Sequence, residues 1–113
     1  MGLDKELLKG YMEIIFLSLL QEKPLYGYEL AKKAREISGE VFDIKEATLY
    51  MALKRLEQRG LLKSYWGDPD EGSAGRRKYY HLTDEGITHL QNGKRDWVAF
   101  KQVIDQFLGG VGE

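Results

Sequence analysis

The sequence predicts a mainly α-helical domain with one small β-hairpin, and three observations carry that prediction. Leu49, Leu53 and Leu56 recur at i, i+4 and i+7, the spacing of a single buried helix stripe. Two aromatic-rich, strand-like runs, 61–66 and 77–82, flank a loop dense in glycine over 67–75. A helical pattern then continues from Thr83 to about Leu108. With 113 residues, 42% hydrophobic and 31% charged, the chain supports one domain and is too apolar for disorder.

In chain order, the first helix is expected over 4–22, with Asp4 as N-cap. Its apolar residues Leu7, Leu8, Tyr11, Met12, Ile14, Ile15 and Leu19 wrap more than one face, which implies burial from more than one side. Pro24 ends it. Gly27 opens a second helix over 28–37, with Leu30, Ala31, Ala34 and Ile37 at inward spacing, and Ser38-Gly39 closes it. A short β-branched stretch, 41–44, leads to a third helix over 46–59 with Gly60 in the C-cap position. Two short helices followed directly by a hairpin have the order of a winged helix-turn-helix. Thr83 is the N-cap of the last helix, and 109–113 reads as a frayed tail. The expected organisation is a winged helix-turn-helix DNA-binding domain over 1–82, a C-terminal dimerisation helix over 83–108 and the tail.

Several function classes are excluded. There is no cysteine, and His81 and His89 have no second ligand-like residue at helical spacing, so neither a thiol nucleophile nor a metal site is expected. The loop glycines are not followed by Gly-Lys-Ser/Thr, and the loop's acids would repel a nucleotide. Asp68, Asp70 and Glu71 have no pocket to tune them, and Ser64 or Ser73 with His81 has no orienting third group. The expectation is no enzyme and no cofactor. The longest apolar run, 14–20, is too short for a membrane span and lacks a cleavage site, so no membrane and a cytoplasmic location are expected.

The formal charge of −1 hides a gradient. Between Lys45 and Lys78 eight basic residues stand against five acidic ones, a surplus of three, and the remainder carries −4. On the third helix the inward stripe leaves Lys45, Thr48, Tyr50, Met51, Lys54 and Arg55 outward or on the flanks. A helix in a major groove needs this mixture, short polar and aromatic groups for base edges and cations for phosphates. Arg76, Arg77 and Lys78 enter the second hairpin strand, where successive cations suit a phosphate backbone. The plainer alternatives are a solvated helix face and a protected strand edge. Helix-turn-helix and hairpin together favour double-stranded DNA as partner.

On the last helix Leu90, Trp97, Phe100, Ile104 and Phe107 recur at intervals of 7, 3, 4 and 3. A small domain has little core left for such bulk, so the stripe is expected to bury against a second copy, giving a two-fold homodimer. Gly93, one turn before Trp97, leaves a gap that two indoles could flank, where a planar aromatic small molecule could stack. The other reading of Trp97 is plain packing across the dimer, and spacing alone leaves both open.

Three ordered motifs carry a family resemblance. They are Leu25-Tyr26-Gly27-Tyr28-Glu29-Leu30; Glu46-Ala47-Thr48-Leu49-Tyr50 with Leu53-Lys54-Arg55-Leu56-Glu57 and Gly60-Leu61-Leu62; and the run Gly75 to Gly86, containing Arg76-Arg77-Lys78-Tyr79-Tyr80-His81. Together they resemble the PadR family of transcriptional regulators over nearly the whole chain. The single C-terminal helix resembles its compact branch, and Ser64-Tyr65-Trp66-Gly67-Asp68 with Asp96-Trp97 is similar to the lactococcal multidrug-binding type. The resemblance implies a homodimeric repressor whose third helix and wing bind an operator. It places Tyr28, Thr48, Tyr50, Lys54, Arg76 and Arg77 in DNA-facing elements. It further implies a pore at the dimer centre, with Trp97 stacking on flat aromatic drugs and Leu7, Gly10, Glu13, Ile14, Ser18 and Gly93 lining it. The sequence departs from that branch at Lys101, where the drug-binding relatives carry an acid. Two lysines at a pore mouth disfavour cationic ligands, and Glu13 partly offsets them.

The function expected is a dimeric winged-helix regulator, a repressor of a pseudo-palindromic operator, released by a flat aromatic ligand between paired Trp97 rings. The alternatives are a ligand-independent DNA-binding regulator and a protein-interaction module without a pore.

Overall fold

A computed structural model of the chain describes residues 6–7, 10–68 and 75–109. Its elements are α1 (Met12–Leu19), β1 (Leu25–Tyr26), α2 (Gly27–Ile37), α3 (Glu46–Gln58), β2 (Leu62–Trp66), β3 (Lys78–Leu82) and α4 (Asp84–Leu108). The cap expected at Asp4, the apolar Leu8, the loop residues 69–74 with Asp70, Glu71 and Ser73, and the tail residues 110–113 lie outside the described residues.

The first helix is shorter than expected. Glu6 and Leu7 are helical, but Gly10 and Tyr11 form a turn before Met12. Glycine is among the poorest residues for propagating a helix, which accounts for the interruption. At the other end helix geometry stops at Leu19, ahead of Pro24, which disfavours helical backbone in the residue before it.

The three strands form one antiparallel sheet in the order β1-β3-β2. In the hairpin Leu62 pairs with Leu82 and Trp66 with Lys78. On the opposite edge of β3, Leu25 pairs with Tyr80 and Tyr26 with Tyr79. β1 is a strand that the sequence reading missed, because two residues carry no periodicity of their own.

Helices and sheet close over one apolar core, in which Phe16, Leu17, Leu25, Leu30, Leu53, Leu56 and Leu62 are fully buried. Leu49 completes the predicted α3 stripe, and no polar or charged side chain is buried among the described residues. Ile37, expected inward, is instead 73% exposed. The chain turns after it through Gly39 (φ 61°) and Glu40 (φ 73°), and Phe42 is buried there with its ring 6.3 Å from that of Phe16.

The joint between the hairpin and α4 is tightly specified. Thr83 Oγ1 accepts from the Gly86 N–H at 3.0 Å and donates to the Gly60 carbonyl at 2.6 Å, while the Thr83 N–H donates to the Leu61 carbonyl at 3.2 Å. A Cβ on Gly86 would overlap that same Leu61 oxygen, so only glycine lets the helix approach this closely. Beyond the joint only Gly86 and Leu90 of the 25 residues in α4 are buried, and the molecule extends to 56 × 32 × 21 Å.

Candidate nucleic-acid interface

The side of α3 opposite its leucine stripe is an exposed arc containing Ala47, Thr48, Tyr50, Met51, Lys54 and Arg55. One border of the arc is Tyr50, whose ring lies over Gly27 at the start of α2, where a Cβ would overlap the phenol. Tyr50 therefore presents an exposed edge while its ring sets the spacing between the two helices. The other border is formed by Thr48 and Arg55, which line a cavity of about 490 Å³ together with Gly10 and Glu13. Lys45, the residue preceding the first helical turn, is exposed.

The sheet face turned away from α3 carries a row of aromatic rings. Tyr65 and Tyr79, cross-strand partners, stack with centroids 5.6 Å apart, and Tyr79 meets Tyr26 edge-on at 5.5 Å. Tyr26 stacks in turn against Tyr28, 6.3 Å away on the first turn of α2. The Arg77 guanidinium sits 4.7 Å over the Tyr26 ring, which holds a cation against the row. Arg76 is exposed beside it.

Lys78 departs from the expectation that all three cations face a phosphate backbone. It is half-buried, with Nζ 3.9 Å from Glu57 Oε1 and about equidistant from the Trp66 and Tyr80 rings (5.8 and 5.7 Å). Strand alternation and the Glu57 carboxylate turn it inward. Glu57 also accepts from Ser64 Oγ at 2.5 Å, so one α3 side chain holds both hairpin strands. Tyr80, on the same cluster, has its phenol pKa raised by burial, with the Glu57 carboxylate and Tyr50 adding to the shift.

α4 carries the second predicted set. Trp97 is 48% exposed, Phe100 and Val103 are similarly exposed and Phe107 is 81% exposed, an apolar stripe that a single chain leaves open. The Trp97 ring meets Tyr11 edge-on at 5.5 Å and lies 6.5 Å from Phe100. Lys101, Gly10 and Leu7 are exposed. The gap expected beside Gly93 is corrected: Ile14 of α1 fills it, and a Cβ on Gly93 would overlap the isoleucine side chain. Glu13 is engaged as well. Its carboxylate pairs with Arg59 at the end of α3 and lies 3.6 Å from His89 Nε2 on α4, which leaves it a poor counter-charge for Lys101. The Ser18 hydroxyl donates to the Ile15 carbonyl at 2.6 Å.

Among the described residues, no group of three or more histidine, cysteine or acidic side chains could hold a metal ion, and no helix is long and apolar enough to cross a membrane.

Comparison with known proteins places this geometry. The model of the transcriptional regulator PadR-like family matches residues 16–92, well over half of the chain. The chain belongs to the PadR-like family. Its fold overlays a transcriptional regulator from Clostridium thermocellum with a TM-score of 0.84 at 40% identity, covering 94% of this chain and 98% of that one. A PadR family transcription regulator from Clostridium difficile is 48% identical with a TM-score of 0.76, covering 88% and 99%. The negative transcriptional regulator PadR of Bacillus subtilis is 27% identical over 95 residues, 84% of this chain and 49% of that protein. These relatives are transcriptional regulators, not enzymes, and the PadR-like chain has their winged-helix architecture with the long C-terminal helix.

Within this PadR-like fold, Tyr50 packs on the start of α2, Tyr28 and Arg77 both contact Tyr26, Lys54 and Arg76 are exposed, and Lys78 is held against Glu57. Sequence reasoning missed Tyr26, Tyr79 and Glu57. Tyr79 was legible in principle, since the pairing of 61–66 with 77–82 places it beside Tyr65, whereas Tyr26 depends on β1, which carries no periodicity of its own. Glu57 carried no signal, because its partners are set by tertiary structure.

Proposed function

We propose that the protein is a homodimeric PadR-like repressor that binds a pseudo-palindromic DNA operator in the cytoplasm. The observation that carries the reading is the exposed arc of α3, in a fold whose wing also presents Arg76 and Arg77. In this reading α3 enters the major groove. Lys45, Thr48, Tyr50, Lys54 and Arg55 face bases and flanking phosphates, Tyr28 contacts the backbone from α2, and the wing arginines hold the neighbouring phosphates. The two-fold axis passes beside α4, whose Trp97, Phe100, Val103 and Phe107 bury against a second copy. The two copies of α3 then meet half-sites about 10 bp apart or a multiple of it.

A flat aromatic ligand between the two Trp97 rings would shift the dimer away from its operator-binding geometry, by no more than its difference in affinity for the two states. The exposed Trp97 ring with Tyr11 edge-on supports this site. Ile14 beside Gly93 and the pairing of Glu13 with Arg59 narrow it to the neighbourhood of Leu7, Gly10, Ser18, Trp97 and Lys101. Lys101 favours a neutral or anionic ligand.

The test is titration of the protein onto the duplex upstream of its own gene and onto a scrambled duplex, each at two salt concentrations. Tight, selective binding that falls steeply with salt is expected. Absence of binding to either duplex at low salt would replace the DNA reading with that of a protein-interaction module.

A further inference from the structure

The centre of the α3 arc is apolar. Met51 is 66% exposed and Ala47, one turn before it, is exposed too, whereas the polar and basic residues Thr48, Lys54 and Arg55 surround the pair. Met51 has no structural duty that accounts for it: Leu49, Ala52, Leu53 and Leu56 already fill the buried side of the helix. Met51, Ala47 and the exposed Tyr50 lie together on one helix face with Lys54 and Arg55 around them, a combination suited to a polyanion that also offers apolar groups. A major groove offers one apolar group on its base edges, the C5-methyl of thymine.

We propose that Ala47 and Met51 form an apolar reading patch that selects thymine through its C5-methyl group. The patch deepens the DNA-binding reading and rests on it. Ala47 has no side chain beyond Cβ, which lets the helix approach the base edge closely. Met51, one turn on, is long and unbranched and adapts to the next methyl along the groove. Lys54, on the same row, then lies over the flanking phosphate. The half-site is thus read at this position by shape and methyl contact, with no hydrogen-bond partner required of either residue.

The experiment takes the tightest duplex recovered from a random-sequence pool and prepares it with thymine or with deoxyuridine throughout the protected half-sites. Deoxyuridine keeps every hydrogen-bonding group and removes only the methyl. Wild-type protein is expected to lose about fourfold in affinity for each contacted methyl removed, the worth of one buried methylene-sized group. Met51→Ala is expected to weaken binding to the thymine duplex and to show a smaller further loss on the deoxyuridine duplex. Met51→Leu, which keeps an apolar group of similar size, is expected to retain most of the deoxyuridine effect. Selective binding by the wild type with equal affinity for both duplexes would overturn the patch and leave the DNA reading intact. Equal additional losses in wild type and Met51→Ala would overturn the role of Met51. Recovery of no selective duplex from the pool would overturn both.

Discussion

Glu57 of α3 and Lys78 of β3 face one another across the junction between helix and wing, with Nζ 3.9 Å from Oε1. The same carboxylate takes the Ser64 hydroxyl from β2, so one α3 side chain ties both hairpin strands to the helix. This separates two kinds of wing cation, Lys78 held against α3 and Arg76 exposed.

The distinction is measurable from the salt dependence of binding. Arg76→Ala is expected to weaken binding to all duplexes similarly and to reduce the salt slope by about 1. Lys78→Gln is expected to leave that slope unchanged while lowering affinity for selected DNA more than for unrelated DNA. Equal slopes for both variants would place Lys78 on a phosphate after all.

At the joint, Gly86→Ala drives a methyl into the Leu61 carbonyl oxygen, which is backbone and cannot swing aside. A loss of about 1–3 kcal/mol in urea unfolding is expected, the usual cost of overpacking. Thr83→Ala removes the cap and its bond to Gly60, at about 1 kcal/mol. Thr83→Ser, which keeps the hydroxyl, should recover most of it.

Tyr80 makes stability fall in alkali. Its phenol titrates above the ordinary value of 10.0 because burial, Glu57 and Tyr50 all oppose the phenolate. An acid whose folded pKa is raised contributes stability that is fully present below its unfolded pKa and lost as pH rises through the folded one. Thermal melts should therefore show no pH dependence from this group below about pH 10 and a progressive decline above it. Tyr80→Phe should flatten that decline, and an unchanged alkaline profile would refute the assignment.

Trp97 discriminates ligand stacking from plain packing. Under the proposed function Trp97→Ala keeps the dimer in sedimentation and loses binding of planar aromatic dyes read by fluorescence. Dissociation to monomers would assign the indole to packing.

Much of this was legible in the sequence where short-range rules decide the structure. The stripe Leu49, Leu53 and Leu56 lies in the core because its period is helical, and Thr83 caps α4 because threonine followed by acids favours a helix start. Of the stripe read on the last helix, Leu90 belongs to the chain's own core, Ile104 is half-buried, and Trp97, Phe100 and Phe107 are exposed. The misreadings share a cause in contacts distant in sequence. β1 exists only because β3 pairs with it, and Lys78 turns inward because Glu57, twenty-one residues earlier, draws it there. Gly93 looked like vacant space, but glycine in a helix also permits close approach, and Ile14 from the far end of the chain makes use of it. Ile37 followed the helical period to a point where the helix had already passed the edge of the core.

The Thr83 joint couples wing and C-terminal helix as a crank does, because α4 leaves the core after Leu90 and continues to Leu108 as an arm that touches α1 and its flanking turn at Ile14 and Tyr11. At a rise of about 1.5 Å per residue that arm is roughly 27 Å long. In a dimer clasped through these arms, a tilt of about 7° at the clasp carries each reading head by about 3.4 Å, one step of the DNA ladder. Under the proposed function, operator phasing would thus respond to small changes in the crossing of two helices placed away from the bases.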